Sequence, residues 1–205
     1  MLPKQSSMMD KLYGSDIAKI VYNRCQELGQ DFNERVQSYV YDTIWAKPGL
    51  LLKEKSLITV VTLIALNKAE QLKIHLWGLF YQGGSAQDIL NLLAYMKQQG
   101  YLARIDKAIA ILEMAQKEFN HLTKRSLSNV NQTLIFDDQV KEKRMIDLVA
   151  QIILGNHDKI ETCLKQVILD HALTIEEIKL ILQHVAVYGG FPIEMNGLSI
   201  LNKII

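Results

Sequence analysis

Cysteine, proline and net charge are all scarce in this chain of 205 residues, and each scarcity closes off a class of function. The two cysteines, Cys25 and Cys163, form neither a CxxC pair nor a zinc cluster. A disulfide framework is therefore not expected, and a reduced, cytoplasmic setting is. The three prolines, Pro3, Pro48 and Pro192, fall at a terminus or a junction and leave long segments uninterrupted. A net charge of +1 argues against a nucleic-acid partner, whose phosphates call for Lys and Arg gathered on one face. Even the most basic cluster, Lys141 to Arg144, is broken by Glu142. The longest apolar run, Leu57 to Leu66, is about ten residues against the roughly 20 that a membrane span needs. It reads as a buried helix, and no membrane partner is expected. Met1 to Ser7 lacks the apolar core of an export signal, so export is not expected either.

What remains is helical. In Thr174–Tyr188 the residues Ile175, Ile178, Ile181, Leu182 and Val185 recur at helical spacing. Thr174 with Glu177 forms a capping box at the start of this helix, and Ser85 with Asp88 an equivalent entry earlier. Gly189-Gly190 followed by Pro192 ends it. The spacing predicts helices near 15–29, 31–46, 53–67, 69–82, 85–99, 102–125, 137–153, 156–170, 174–188 and 192–203. No stretch alternates with period two, so the fold class is all-α. In the helix over 102–125, Ile105, Ile109, Leu112 and Phe119 face inward.

The chain also repeats itself. Lys53-Glu54-Lys55-Ser56-Leu57-Ile58 is echoed by Lys141-Glu142-Lys143-Arg144-Met145-Ile146, and the echo continues from Thr62–Asn67 into Ala150–Gly155. The polar stretch 124–133 has the composition of a linker. Two tandem helical units are expected, over 10–123 and 134–205, packed as one body because neither buries its apolar face alone.

The segment Phe32 to Leu50, with Tyr41, Asp42 and Trp45 ahead of Pro48-Gly49-Leu50, resembles the entry of carboxymuconolactone decarboxylase-like proteins. Lys55-Ser56-Leu57-Ile58-Thr59-Val60 is similar to a conserved helix of that family, and Glu70–His75 with Gly83-Gly84-Ser85 and Asp88-Ile89 resembles the run that follows. The closing signature appears only in the second unit, as His184, Tyr188, Gly190 and Pro192, where Tyr95 is the first unit's counterpart of His184. The resemblance implies an all-α subunit that forms rings, as a homo-oligomer of trimer or hexamer type. It also implies a small-molecule substrate. The family spans decarboxylases of aromatic degradation, alkylhydroperoxidase D-like antioxidant peroxidases with peroxiredoxin-type activity, and members of unassigned activity.

Within this frame His75 is the leading catalytic candidate, because an imidazole exchanges a proton near neutral pH. Its counterpart in the second unit is Cys163 or Leu164. The plainer alternative is a satisfied core histidine. Glu70, five residues earlier, points about 140° away and reads better as a first-turn carboxylate than as a catalytic partner. Asp42 and Trp45, three apart, would share a face, with Trp45 walling a pocket over a ring substrate and Asp42 facing His75. A core Trp with an exposed Asp is the bland version. Tyr41 joins Trp45, Tyr188 and His184 as substrate-binding candidates, and His184 with Tyr188, four apart, also fits a structural pair. Cys163 is the redox candidate, although a dithiol cycle lacks its second thiol. No metal site and no cofactor are expected, since His157-Asp158 and Asp170-His171 are adjacent rather than a turn apart.

These residues favour a cofactor-free lyase acting on a small cyclic or unsaturated acid, a carboxylate that Lys55, Lys73 or Arg35 would meet. A peroxidase using Cys163 or Cys25 is the second reading, and a non-catalytic oligomer of the same fold the third.

Overall fold

Backbone amides that have no partner within a helix must be satisfied at its ends, and the chain does this repeatedly with short polar side chains. A computed structural model describes residues 5–102, 105–124 and 140–205. Helix α1 (Ser7–Tyr13) is capped by Ser6, whose side chain accepts from the Met8 amide. The periodicity gave no sign of this helix, which is two turns long and buries only Met9, Leu12 and Tyr13. Gly14 follows at φ +75°, a left-handed conformation in which a side chain would also collide with the Tyr81 ring. Helix α2 (Ser15–Glu27) then leads to α3 (Gln30–Arg35).

α3 continues into a π-helical stretch, Val36–Trp45, closed by the Ala46 amide bonding back five residues to Tyr41. The wider turn changes which residues share a face. Tyr41 and Trp45, four apart, are both buried, whereas Asp42, three before Trp45, is turned outward. The face expected for Asp42 with Trp45 is therefore not formed.

Helix α4 (Leu52–Ala65) is the axis of the molecule, buried from Glu54 to Ile64. α5 (Ala69–Tyr81) and α6 (Ala86–Gln98) follow, the second entered through the Ser85–Asp88 capping box. α7 (Asp106–Thr123) starts later than the spacing suggests, and it buries Leu112 and Phe119 while Ile105 and Ile109 are only partly covered. Most of the expected linker, and the first residues of the helix expected over 137–153, lie outside the described residues. The last four helices are α8 (Val140–Leu154), α9 (His157–Leu169), α10 (Ile175–Gly189) and α11 (Phe191–Ile204). α10 enters through the Thr174–Glu177 box, and Pro192 sits in the first turn of α11, where its missing N–H costs nothing. The described residues contain no strand, and no helix among them is long and apolar enough to cross a membrane.

α4 packs against α5 on one side and against α8 and α10 on the other, so one continuous core runs through the chain. The two echoing Lys-Glu-Lys segments lie on α4 and α8 and touch through charge. Lys141 Nζ sits 2.8 Å from Glu54 and 2.7 Å from Glu177, joining α8 to α4 and α10 at once. Glu54 is further held by the Leu51 amide at 2.7 Å.

Candidate active site

Two histidines from distant parts of the chain converge on one tryptophan. His75 comes from α5 and His184 from α10, and Trp45, fully buried at the end of the π-helical stretch, lies between them. The His75 ring lies parallel to the indole at 5.9 Å between centroids, and His184 meets it edge-on at 4.7 Å. Tyr188, one turn after His184, accepts from Trp45 Nε1 at 3.0 Å and crosses His75 at 5.1 Å. Tyr13 Oη stands 3.3 Å from His75 Nδ1 and 3.4 Å from Tyr41 Oη. Thr59 Oγ1 lies 2.8 Å from His184 Nε2 while donating to the Lys55 carbonyl.

The helix geometry explains the convergence. The i, i+4 spacing of His184 and Tyr188 puts both on the face of α10 turned toward α4 and the π-helical stretch. The π turn delivers Tyr41 and Trp45 together to the same point. Lys55 braces the junction from below, its ammonium donating to the Trp45 carbonyl at 2.7 Å and to the Lys47 carbonyl.

Burial fixes the electrostatics. Loss of water pushes the His75 imidazole down to about 3, and His184 to about 3 with added repulsion from Lys55 and His75. Both rings are neutral at physiological pH. The same desolvation pushes the Tyr13, Tyr41 and Tyr188 hydroxyls upward, so they stay protonated. The Lys55 ammonium is held below its usual value by burial. His184 is 1% exposed and makes its hydrogen bond to Thr59, whereas His75 keeps 9% exposure. His75 Nε2 has no hydrogen-bond partner among the described residues. The site is thus a neutral imidazole with a tyrosine hydroxyl at one nitrogen and no hydrogen-bond partner at the other among the described residues, set against an aromatic wall.

Of the candidates named from the sequence, His75, Trp45, Tyr41, Tyr188 and His184 come together. Asp42 and Glu70 do not. Asp42 is exposed and accepts from the Ser6 hydroxyl. The Glu70 side chain is 76% exposed, in the first turn of α5, with Lys73 3.9 Å away. Lys73 itself turns to Glu118, and Arg35 is exposed at the end of α3. Sequence reasoning missed Tyr13 and Thr59. Tyr13 lies on the unforeseen α1, while Thr59 sits inside an apolar run whose only signal was a hydroxyl where hydrophobic residues surround it.

Cys163 lies elsewhere, at a cavity of about 200 Å³ lined by Arg144, Asp147, Thr162 and Val167 among others. Burial and the Asp147 charge push its thiol up to about 11, and burial raises Cys25 as well. Both cysteines are free thiols. A peroxide-reactive cysteine needs the opposite, a stabilised thiolate. Near Cys163, Tyr95 and Tyr101 both donate to Asp147, at 2.9 and 2.8 Å. Tyr95, which the sequence echo sets opposite His184, donates to Asp147, whereas His184 pairs with Thr59. Among the described residues no group of three His, Cys, Asp or Glu side chains is arranged to hold a metal ion.

Comparison with known proteins adds two findings. Residues 30–114 match the model of the Carboxymuconolactone decarboxylase family. A 4-carboxymuconolactone decarboxylase of Acinetobacter baylyi (strain ATCC 33305 / BD413 / ADP1) is 26% identical over 96 residues, which is 47% of this chain and 69% of that protein. The family match contains Trp45, Thr59 and His75 and ends before His184 and Tyr188.

Proposed function

From the carboxymuconolactone decarboxylase-like character of residues 30–114, we propose that the protein is a cofactor-free lyase that removes CO₂ from a small cyclic or unsaturated acid, with His75 transferring the proton. The observation that carries this reading is the free Nε2 of a neutral His75, backed at Nδ1 by Tyr13. Decarboxylation breaks a C–C bond and leaves its electron pair on the substrate carbon, which must then take a proton. In the tautomer whose Nδ1 accepts from Tyr13, the imidazole carries its proton on Nε2 and can deliver it there while Nδ1 takes the Tyr13 proton; water returns a proton to Tyr13 once the product leaves, which resets the site. Tyr41, against Tyr13, extends the relay. The apolar walls of Trp45 and Tyr188 disfavour a carboxylate relative to neutral CO₂.

A homo-oligomer, a trimer or hexamer, belongs to the same proposal. Phe191 and Met195 stand exposed on α11, supplying apolar surface that a second copy would cover. Light scattering on the purified protein reads its mass.

The direct test is CO₂ release from 4-carboxymuconolactone and related lactone acids. His75→Gln is expected to lower the rate by about 10²- to 10⁴-fold, the usual worth of a positioned acid–base group. No CO₂ from any such acid removes the named reaction. A rate untouched by His75→Gln removes His75 from it.

A further inference from the structure

Trp77 follows His75 by two residues, a rotation of about 200° on α5, and so faces the other way. There it forms the floor of a separate cavity between α2, α5 and α7, with a volume of about 510 Å³. That is within the range of small-molecule sites. Ile20, Met114 and Leu122 supply apolar walls.

The polar groups around this cavity are out of balance. Arg24 lines it, its guanidinium 5.6 Å from the Trp77 ring centroid, and it makes no ion pair among the described residues. Lys117 lines it and likewise has no acidic partner among them. The one carboxylate of the lining, Glu118, is neutralised by Lys73 at 3.2 Å. Trp77 is 1% exposed, yet its Nε1–H is buried with no hydrogen-bond acceptor. Two cations without an ion pair among the described residues, beside apolar walls, describe the complement of a hydrophobic anion.

We propose that the α2–α5–α7 cavity binds a small organic acid with a ring or branched apolar body, its carboxylate facing Arg24 and Lys117. The body packs on Trp77, Ile20 and Met114. Arginine suits the carboxylate because its planar fork matches both oxygens. The site is distinct from His75 and does not depend on any reaction there.

Isothermal titration calorimetry of the full chain with 2-naphthoate, beside uncharged 2-naphthamide, tests it. Naphthoate is expected to bind, and more tightly than naphthamide. The double variant Arg24→Met, Lys117→Met should weaken naphthoate by at least about ten-fold, the worth of one charge-assisted hydrogen bond. It should leave naphthamide unchanged. Both positions are at least partly exposed, so the variant keeps its core, and circular dichroism checks the fold. His75→Gln should bind naphthoate as the parent does. Absence of naphthoate binding overturns the proposal. So does equal affinity for acid and amide, an unaltered affinity in the double variant, or a loss that follows His75→Gln instead.

Discussion

Two neutral histidines inside one core make stability depend on pH in a way that can be worked through. In the unfolded chain each imidazole takes a proton near 6.5, whereas in the fold each resists until about 3. Between those values the unfolded state holds more protons, so stability rises with pH and falls on acidification through this window. Each ring contributes about 1.4 kcal/mol per pH unit in the middle of it. From pH 7 to pH 5 that is about 2 kcal/mol per ring and roughly 4 kcal/mol for the pair. A domain stable by about 5–15 kcal/mol would lose a large part of its margin. The groups around the rings are Tyr13, Tyr41, Tyr188, Trp45 and Lys55, and no carboxylate hydrogen-bonds either imidazole among the described residues. The ion-paired carboxylates Glu177 and Asp170 are held low and lose their contribution only at more acid pH. Urea denaturation at pH 7, 6 and 5 reads the effect. His75→Gln and His184→Gln should each remove about half of the pH dependence. A wild-type loss under about 1 kcal/mol, or a slope unchanged in both variants, would refute the burial argument.

Three further outcomes follow from contacts already described. Lys141→Met, which strips the shared cation from Glu54 and Glu177, should cost about 1–3 kcal/mol in urea denaturation, between the values for surface and buried pairs. Tyr95→Phe and Tyr101→Phe should each cost about 1.5–3 kcal/mol, and the double variant more than their sum, because Asp147 then loses both donors. Additive losses would contradict a shared network. At pH 7 a Cys163 thiol near 11 leaves a thiolate fraction of about 10⁻⁴, so iodoacetamide should label it far more slowly than free cysteine by mass spectrometry. Rapid labelling, or peroxide turnover lost in Cys163→Ser, would restore the peroxidase reading.

Most helices were legible because their apolar residues repeat and their entries carry polar caps, as at Ser85–Asp88 and Thr174–Glu177. α1 was not, since two turns with a single cap leave too few residues for a period to emerge. The pairing of Asp42 with Trp45 failed for a definite reason. The expectation assumed α-helical turns, and nothing in the residues from Val36 to Trp45 announces a wider one. His75 could be singled out from the sequence. Its meeting with His184 could not, because that depends on how α10 lies across α4. The exposed positions of Glu70, five residues before His75, and Asp42, three before Trp45, show that an acidic residue close in sequence to a buried site need not point into it.

The separation of Thr59 from its partner His184 by 125 residues also has a meaning in time. At synthesis rates of about 5–20 residues per second, roughly 6 to 25 s pass between the two entering the growing chain. Throughout that interval Trp45 and Thr59 lack the helix that covers them, and the first half of the protein holds an apolar face open to its surroundings. The cluster around His75 is completed only when α10 arrives, and a ribosome that stops before α10 releases a chain with His75 but no closed aromatic wall around it.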